Sequence, residues 1–396
     1  MVGSLSKMLS SVVLFRGVTG SRVLSCLNSF LREVNSSDEI LKTEKYCAFV
    51  AALYESGCDL GEYIEDALRC DDNVYVRLFA SRKTISGVMQ SCFERELEIF
   101  SSITQLSSAQ LLEAAGLPSE LPGFDNTQKN FSVIIPAILA NASKLGYGNY
   151  ARYGMFRVGE KGELVPVLAP DPITVSHLVG YEIEREKVLD NTHALIEGKP
   201  AANVLLCGDA GTGKSSTVKA VANELRSEGV RLVELRKDQL SLLPEIMGEI
   251  ADNPLKFILF VDDLSFSTDD DGFAALKAVL EGSAAAKTPN AVIYATSNRR
   301  HMVKETFSSR EGDDIHRRDS MEEMLSLSAR FGLTVLFSKP NKELYLKIVH
   351  SLAREKGIEL DSAELDIRAE AFALNKGGRS ARTAGQFIDS LLSIDI

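Results

Sequence analysis

Val204-Leu205-Leu206-Cys207-Gly208-Asp209-Ala210-Gly211-Thr212-Gly213-Lys214-Ser215 is the stretch on which the reading of this chain turns. Four apolar residues suit a buried strand, and the eight that follow fill the pattern G-x-x-x-x-G-K-[ST] at every defined place. With glycine at about 7% of residues, chance supplies such a match in roughly one chain of this length in a hundred. After the motif Val218, Val221 and Leu225 fall on one helical face, so a strand, a glycine-rich turn and a helix follow in the order the pattern requires. Glycines let backbone N–H groups turn inward around phosphate oxygens, and the positive end of the new helix faces the same charge. The candidate cradle is Gly208, Ala210, Gly211, Thr212, Gly213, Lys214, Ser215 and Ser216. Lys214 is expected to reach the terminal phosphates and Ser215 to offer its hydroxyl to Mg2+.

A phosphate cradle implies binding and not yet hydrolysis. Downstream, Phe257-Ile258-Leu259-Phe260-Val261-Asp262-Asp263 reads as a strand buried on both faces with two acids at its C-terminal end, where open parallel sheets place their ligands. Asp262 is the expected holder of hydrated Mg2+, and Asp263 the group that orients or deprotonates the attacking water. Thr296-Ser297-Asn298 closes the next strand and puts an amide within reach of that water or of the terminal phosphate. Ser267, Asp269, Asp271 and Gly272 imitate a calcium loop, but its twelfth position is Ala278 rather than a bidentate glutamate, and Asp271 suits a helix cap better.

The rest of the chain arranges itself around this centre. Residues 1–150 carry apolar positions at helical spacing, as in Ala51 to Tyr63, Ile85 to Phe100 and Phe131 to Leu145, and predict an all-helical domain. Residues 151–172 read as a β-hairpin and a proline-stiffened linker. Residues 173–340 alternate short apolar runs with helical stretches, which predicts an α/β core: a five-stranded parallel sheet with helices on both faces. Its strands are Val204 to Cys207, Val230 to Leu235, Phe257 to Val261, Ala291 to Thr296 and Leu333 to Phe337, with helices including Lys214 to Arg226, Leu243 to Ile250, Phe273 to Glu281 and Met321 to Leu327. Residues 341–396 hold three helical segments and predict a small C-terminal lid.

Composition narrows the function. The 396 residues are 45% apolar and 25% charged, which excludes a wholly disordered or fibrous chain, and 55 acids against 44 Lys and Arg leave a net charge of −11. That balance disfavours broad adhesion to nucleic acid or anionic membrane. No run approaches the ~20 apolar residues needed to cross a bilayer. The six cysteines are scattered without C-x-x-C pairs, which excludes a zinc site and predicts small buried apolar residues in a reducing compartment, hence a cytoplasmic protein.

The stretches HLVGYEIEREKVLDNT, NVLLCGDAGTGKSS, FILFVDDLSF, YATSNRRH, SLSARFGL and GGRSARTAGQFID together resemble the AAA+ ATPase superfamily over residues 173 to 396. The resemblance is nearest to a poorly characterised bacterial family of AAA+ or ATP-binding proteins with a helical N-terminal half. It implies that Leu178 and Val179, in His177-Leu178-Val179-Gly180-Tyr181, wall the adenine. It implies further that Asn298 is sensor 1, that Arg330 is an arginine finger lent to a neighbouring subunit, and that Arg379 or Arg382 is the lid arginine called sensor 2. Where many AAA+ motors carry glutamate this chain has Asp263, one methylene shorter.

The resulting expectation is an ATP- and Mg2+-dependent hydrolase, homo-oligomeric as a ring or spiral, most simply a hexamer, which moves or remodels an unidentified protein partner. A nucleotide-gated switch with little turnover is one alternative. A replication initiator or loader is another, suggested by Asp262-Asp263 and by Asn298-Arg299-Arg300-His301, though the acidic balance and the lack of a recognisable DNA-reading module stand against nucleic acid.

Overall fold

The computed structural model describes residues 2–264, 271–281, 288–298 and 329–393. The expected helix Met321 to Leu327, the Arg299-Arg300 pair, and Ser267 and Asp269 of the calcium-like cluster lie outside them. The chain divides into two compact units, Met1–Arg152 and Tyr153–Ile396.

All regular elements described in the first unit are helices. Their starts are fixed by side chains that accept the otherwise orphaned first N–H groups: Asp38 from Leu41, Asp59 from Glu62, Asn73 from Val76 and Ser86 from Met89. Where one helix was expected over Ala51 to Tyr63, the structure has two, Glu39–Tyr54 and Leu60–Arg69. Gly57 (φ 121°) and Cys58 (φ 72°) turn the chain through the left-handed region, and Asp59 caps the second helix. The core is aromatic, with Phe15, Phe30, Tyr46, Phe49, Phe100 and Phe131 among its fully buried side chains. Glu96 is buried beside it and accepts the N–H groups of Val13, Leu14 and Phe15 at 2.6–3.2 Å, which satisfies a carboxylate that would otherwise be costly there. The cysteines depart from expectation: Cys26, Cys47, Cys70 and Cys92 are half-buried, Cys58 is exposed, and Cys207 alone is buried. Cys26, Cys47 and Cys92 lie within helices, Cys70 ends one, Cys58 is in a turn and Cys207 is in a strand of the second unit.

Asp71 supplies a stability test for this unit. Burial, aided by the nearby charges of Asp72 and Glu96, raises its carboxyl from 3.8 to about 6, against a hydrogen bond of 2.6 Å from Asn73 that pulls the other way. The folded chain thus holds the proton more tightly than the unfolded chain, so this group's contribution is complete below about pH 4 and lost as pH rises through 6. Asp71→Asn is expected to flatten that part of the pH profile and to raise stability at pH 7 by up to about 3 kcal/mol. Urea unfolding of both full-length chains between pH 4 and 8 measures it.

The second unit is built on a seven-stranded sheet ordered β2-β1-β4-β5-β6-β3-β7. Its strands are β1 (Met155–Val158), β2 (Leu164–Pro166), β3 (Val204–Gly208), β4 (Val230–Leu235), β5 (Lys256–Val261), β6 (Ala291–Ser297) and β7 (Leu333–Phe337). The last five form the expected parallel core. The hairpin is not a free linker, however: β1 pairs parallel with β4, so the sheet has seven strands rather than five. Phe156 and Val158 are buried by this addition, which gives the hairpin's apolar face a place to go. β3, β4 and β5 are almost wholly buried, as the unbroken apolar runs require, whereas edge strand β7 alternates and leaves Thr334 and Leu336 exposed.

β3 sits between β6 and β7, so the chain leaving it must cross to β4 beyond two other strands, and this switch opens a crevice at the strand ends. Helix Glu182–Ile196, which the sequence pattern did not single out, packs Val188 and Leu195 into the core but leaves Ile183 exposed. Its apolar residues therefore form no clean stripe. Helices Lys342–Glu355, Ser362–Asn375 and Ala381–Leu392 make the lid around Tyr345, Ile348, Val349 and Phe387.

Candidate functional site

Every strand end that matters meets at the C-terminal side of β3, β5 and β6. Parallel pairing sets Val261 of β5 opposite Ala295 of β6, and Cys207 of β3 opposite Ser297 of β6, so Asp262, Asn298 and the phosphate loop emerge side by side. Gly208 (φ 140°), Gly211 (φ 76°) and Gly213 (φ 94°) carry the loop through conformations closed to other residues. At Gly208 a Cβ would also collide with the Phe337 carbonyl oxygen of β7. Thr212 is buried, and its hydroxyl donates to the Asp209 carbonyl at 2.9 Å, which braces the loop from inside.

Lys214 is 5% exposed and donates from Nζ to the carbonyls of Gly208 (3.0 Å) and Asp209 (2.7 Å) and to Oδ1 of Asn298 (3.0 Å). Burial pushes its ammonium below the usual lysine range, while the Asp209 carboxylate pulls it back up. Asn298 in turn donates from Nδ2 to Oδ1 of Asp263 at 2.8 Å. One amide therefore links the lysine to the second acid. Ser215 Oγ donates to Oδ1 of Asp262 at 2.6 Å. A serine hydroxyl beside a carboxylate is a hard-oxygen donor set, which suits Mg2+, a cation that takes one or two protein oxygens and completes its shell with water and phosphate. Asp263 has φ 55°, unusual for a residue with a side chain, and donates its N–H to Thr296 Oγ1 at 2.8 Å.

A cavity of about 690 Å3 opens over this cluster. Ala210, Gly211, Thr212, Gly213, Lys214, Ser215 and Ser216 line it together with Asp262, Asp263 and Asn298. Leu178 and Val179 form part of its apolar end, with Val179 also packed on the lid core. Sequence reasoning missed several further walls, among them Tyr181, Arg185, and Ile348 and Leu352 from the first lid helix. The Tyr181 hydroxyl donates to the Ser338 carbonyl at 2.6 Å and its ring lies 5.2 Å from that of Phe337, so it ties the apolar end to the segment leading into the lid. Burial raises this phenol to about 12. No local signal could have found Ile348 or Leu352, because the fold alone carries the lid over the loop.

The two lid arginines separate. Arg379 is not brought into the cavity: its Nε and Nη2 hold Glu370 at 2.8 and 2.5 Å within the lid. Arg382 lines the cavity, and its backbone N–H donates to the Gly211 carbonyl at 3.1 Å. Arg382→Ala is accordingly expected to weaken nucleotide binding about tenfold, the loss of one charge-assisted contact, whereas Arg379→Ala should lower melting temperature with affinity nearly unchanged. Calorimetric titration and thermal melts of both variants check this. Arg330 does not line the cavity; its Nε donates to Glu281 Oε1 at 2.6 Å, just ahead of β7.

A family model described as "Protein of unknown function (DUF815)" matches residues 150–394. The chain belongs to this DUF815 family. The match coincides with the α/β unit and leaves the helical unit outside it. No curated protein matches the chain. Among solved structures it is similar to a RuvB mutant of Thermotoga maritima, at 16% identity over 56% of this chain and 67% of that one with a TM-score of 0.38. It is likewise similar to AMPPCP-bound DnaA from Aquifex aeolicus, at 17% identity over 57% of this chain and 66% of that one with a TM-score of 0.40. The DUF815 chain thus spans slightly less than two thirds of that DnaA chain. Its P-loop NTPase fold is carried by its own elements: the loop after β3, the acids after β5, Asn298 after β6 and the three-helix lid. Among the described residues no helix is long and apolar enough to cross a membrane.

Proposed function

We propose that the α/β unit binds Mg-ATP, hydrolyses it at sites shared between copies of the chain, and uses the cycle to move or remodel a protein partner recruited through the helical unit. The observation that carries this reading is the convergence, in one cavity of about 690 Å3, of the phosphate loop, both acids, Asn298, an apolar end and a lid arginine. Pockets of 300–1,000 Å3 are the usual size for ligands of this class.

The residues divide the work. Lys214 exchanges its carbonyl and amide acceptors for phosphate oxygens, and the loop N–H groups hold the remainder. Ser215 and Asp262 hold Mg2+, which supplies positive charge to the phosphate oxygens when bound. Asp263 orients the attacking water or takes its proton, steadied by the Asn298 amide. Leu178, Val179 and Tyr181 enclose the base, and Arg382 brings the lid to the phosphates. Arg330 precedes the first residue of β7, and β7 runs parallel to β3 with the phosphate loop at its far end. Five residues of strand span about 16 Å, which sets Arg330 apart from its own loop and leaves it for the loop of an adjoining copy in the reading proposed here. An arginine lent in this way would require copies to assemble side by side, and a ring or spiral, most simply of six, is the assembly we propose.

Titration of the purified full-length chain with Mg-ATP by calorimetry tests binding, and phosphate release across a protein concentration series tests shared sites. Heat on binding with specific activity that rises with concentration supports the reading; no heat overturns it. The link between Asp263 and Asn298 favours a second reading, a slow switch, in which tight binding is accompanied by no detectable phosphate release.

A further inference from the structure

Thr296 enters the sequence reading only as a strand residue ahead of Asn298, yet one hydroxyl of this residue touches both acids. It lies on β6, is 2% exposed, donates from Oγ1 to Oδ1 of Asp262 at 2.6 Å, and accepts the N–H of Asp263 at 2.8 Å. Its carbonyl accepts the N–H of Leu264 at 2.6 Å. A threonine hydroxyl has one proton and two lone pairs. Here the proton is spent on Asp262 and a lone pair on the backbone of Asp263, so each contact fixes the direction of the other.

Two consequences follow from that bond pattern. Oδ1 of Asp262 receives two hydroxyl donors, Thr296 and Ser215, which together set the plane of the carboxylate. Asp263 sits at φ 55°, a conformation that a residue with a Cβ keeps only when its surroundings enforce it, and the Thr296 hydroxyl supplies the acceptor that its N–H would otherwise lack. Turned this way, the side chain of Asp263 meets Nδ2 of Asn298.

We propose that Thr296 is a positioning residue that aims Asp262 at the metal and holds Asp263 in its left-handed turn, and so sets how readily the site takes up Mg2+. This rests on the Mg-ATP reading of the site. The geometry favours it over a packing role because a valine would fill the same space, and only the hydroxyl makes both bonds.

The test uses the full-length chain with Thr296→Val, which removes the hydroxyl at constant shape, and Thr296→Ser, which keeps it. ATP affinity is measured by calorimetry with and without Mg2+, and phosphate release is followed as Mg2+ is titrated. Thr296→Val is expected to raise the half-saturating Mg2+ concentration about 10- to 100-fold and to lower kcat, leaving metal-free ATP affinity and KM for ATP within about twofold of wild type. Thr296→Ser should recover most of both losses. Should the valine variant fail to fold, Thr296→Ala must give the same Mg2+ shift. Wild-type Mg2+ dependence in the hydroxyl-free variants, or a serine variant as impaired as they are, overturns the proposal. Absence of Mg-ATP binding by the wild-type chain is a different failure, that of the functional reading itself.

Discussion

Lys214→Ala is expected to remove measurable Mg-ATP binding and to bring phosphate release to background while leaving the fold intact. The ammonium makes three hydrogen bonds in a nearly buried position, two of them to carbonyls of the phosphate loop itself. Among the described residues it is the one lysine lining the cavity, and hydrogen bonds to charged groups are worth about 1.5–3 kcal/mol. Loss of that contact together with disorder of the carbonyls it gathers should weaken binding at least about 100-fold, roughly 3 kcal/mol. The ligand-free chain should tolerate the change, because burial already disfavours this charge. Calorimetry and a thermal melt read the two halves of the prediction. Undiminished affinity would sink the phosphate-cradle assignment, and unfolding would show that the lysine is chiefly a brace.

Arg330→Ala carries the second large effect. If Arg330 supplies charge to a phosphoryl group in an adjoining copy, turnover should fall about 10³-fold with Mg-ATP affinity changed by no more than two- to threefold. The decisive measurement mixes this variant with Lys214→Ala. Each is inactive alone, but where an intact cradle meets an intact arginine the site is whole. Random assembly of equal amounts restores about a quarter of the interfaces. If Arg330 served only its ion pair with Glu281, mixing would restore nothing and Glu281→Gln would have the same effect as Arg330→Ala.

The parts of the site legible in sequence are those written consecutively. The cradle and the acid pair need only a strand, a turn and the right side chains in order, and short-range sterics enforce all three. What escaped notice depends on residues far apart in the chain. The hairpin reads as a linker because its pairing with β4 leaves no mark in either segment. Tyr181, Ile348 and Leu352 look like ordinary apolar positions until the lid is folded over the loop. Arg379 and Arg382 could not be told apart from the run Gly377-Gly378-Arg379-Ser380, since the choice is made by Glu370 on the preceding helix and by Gly211 on the loop. The helix break at residues 56–59 was hidden by apolar spacing that continues across it, although Gly57 and Asp59 mark it in retrospect.

The crowding of Gly208 against the carbonyl of Phe337 changes what the first glycine of the motif can be taken to mean. No side chain fits there whether or not a nucleotide ever arrives, since the obstacle is the neighbouring strand. A descendant of this chain that had abandoned its chemistry would still be compelled to keep that residue. On the function proposed here, lineages that retain ATP turnover are therefore to be distinguished by Lys214, Ser215 and Asp262, whose side chains line the cavity.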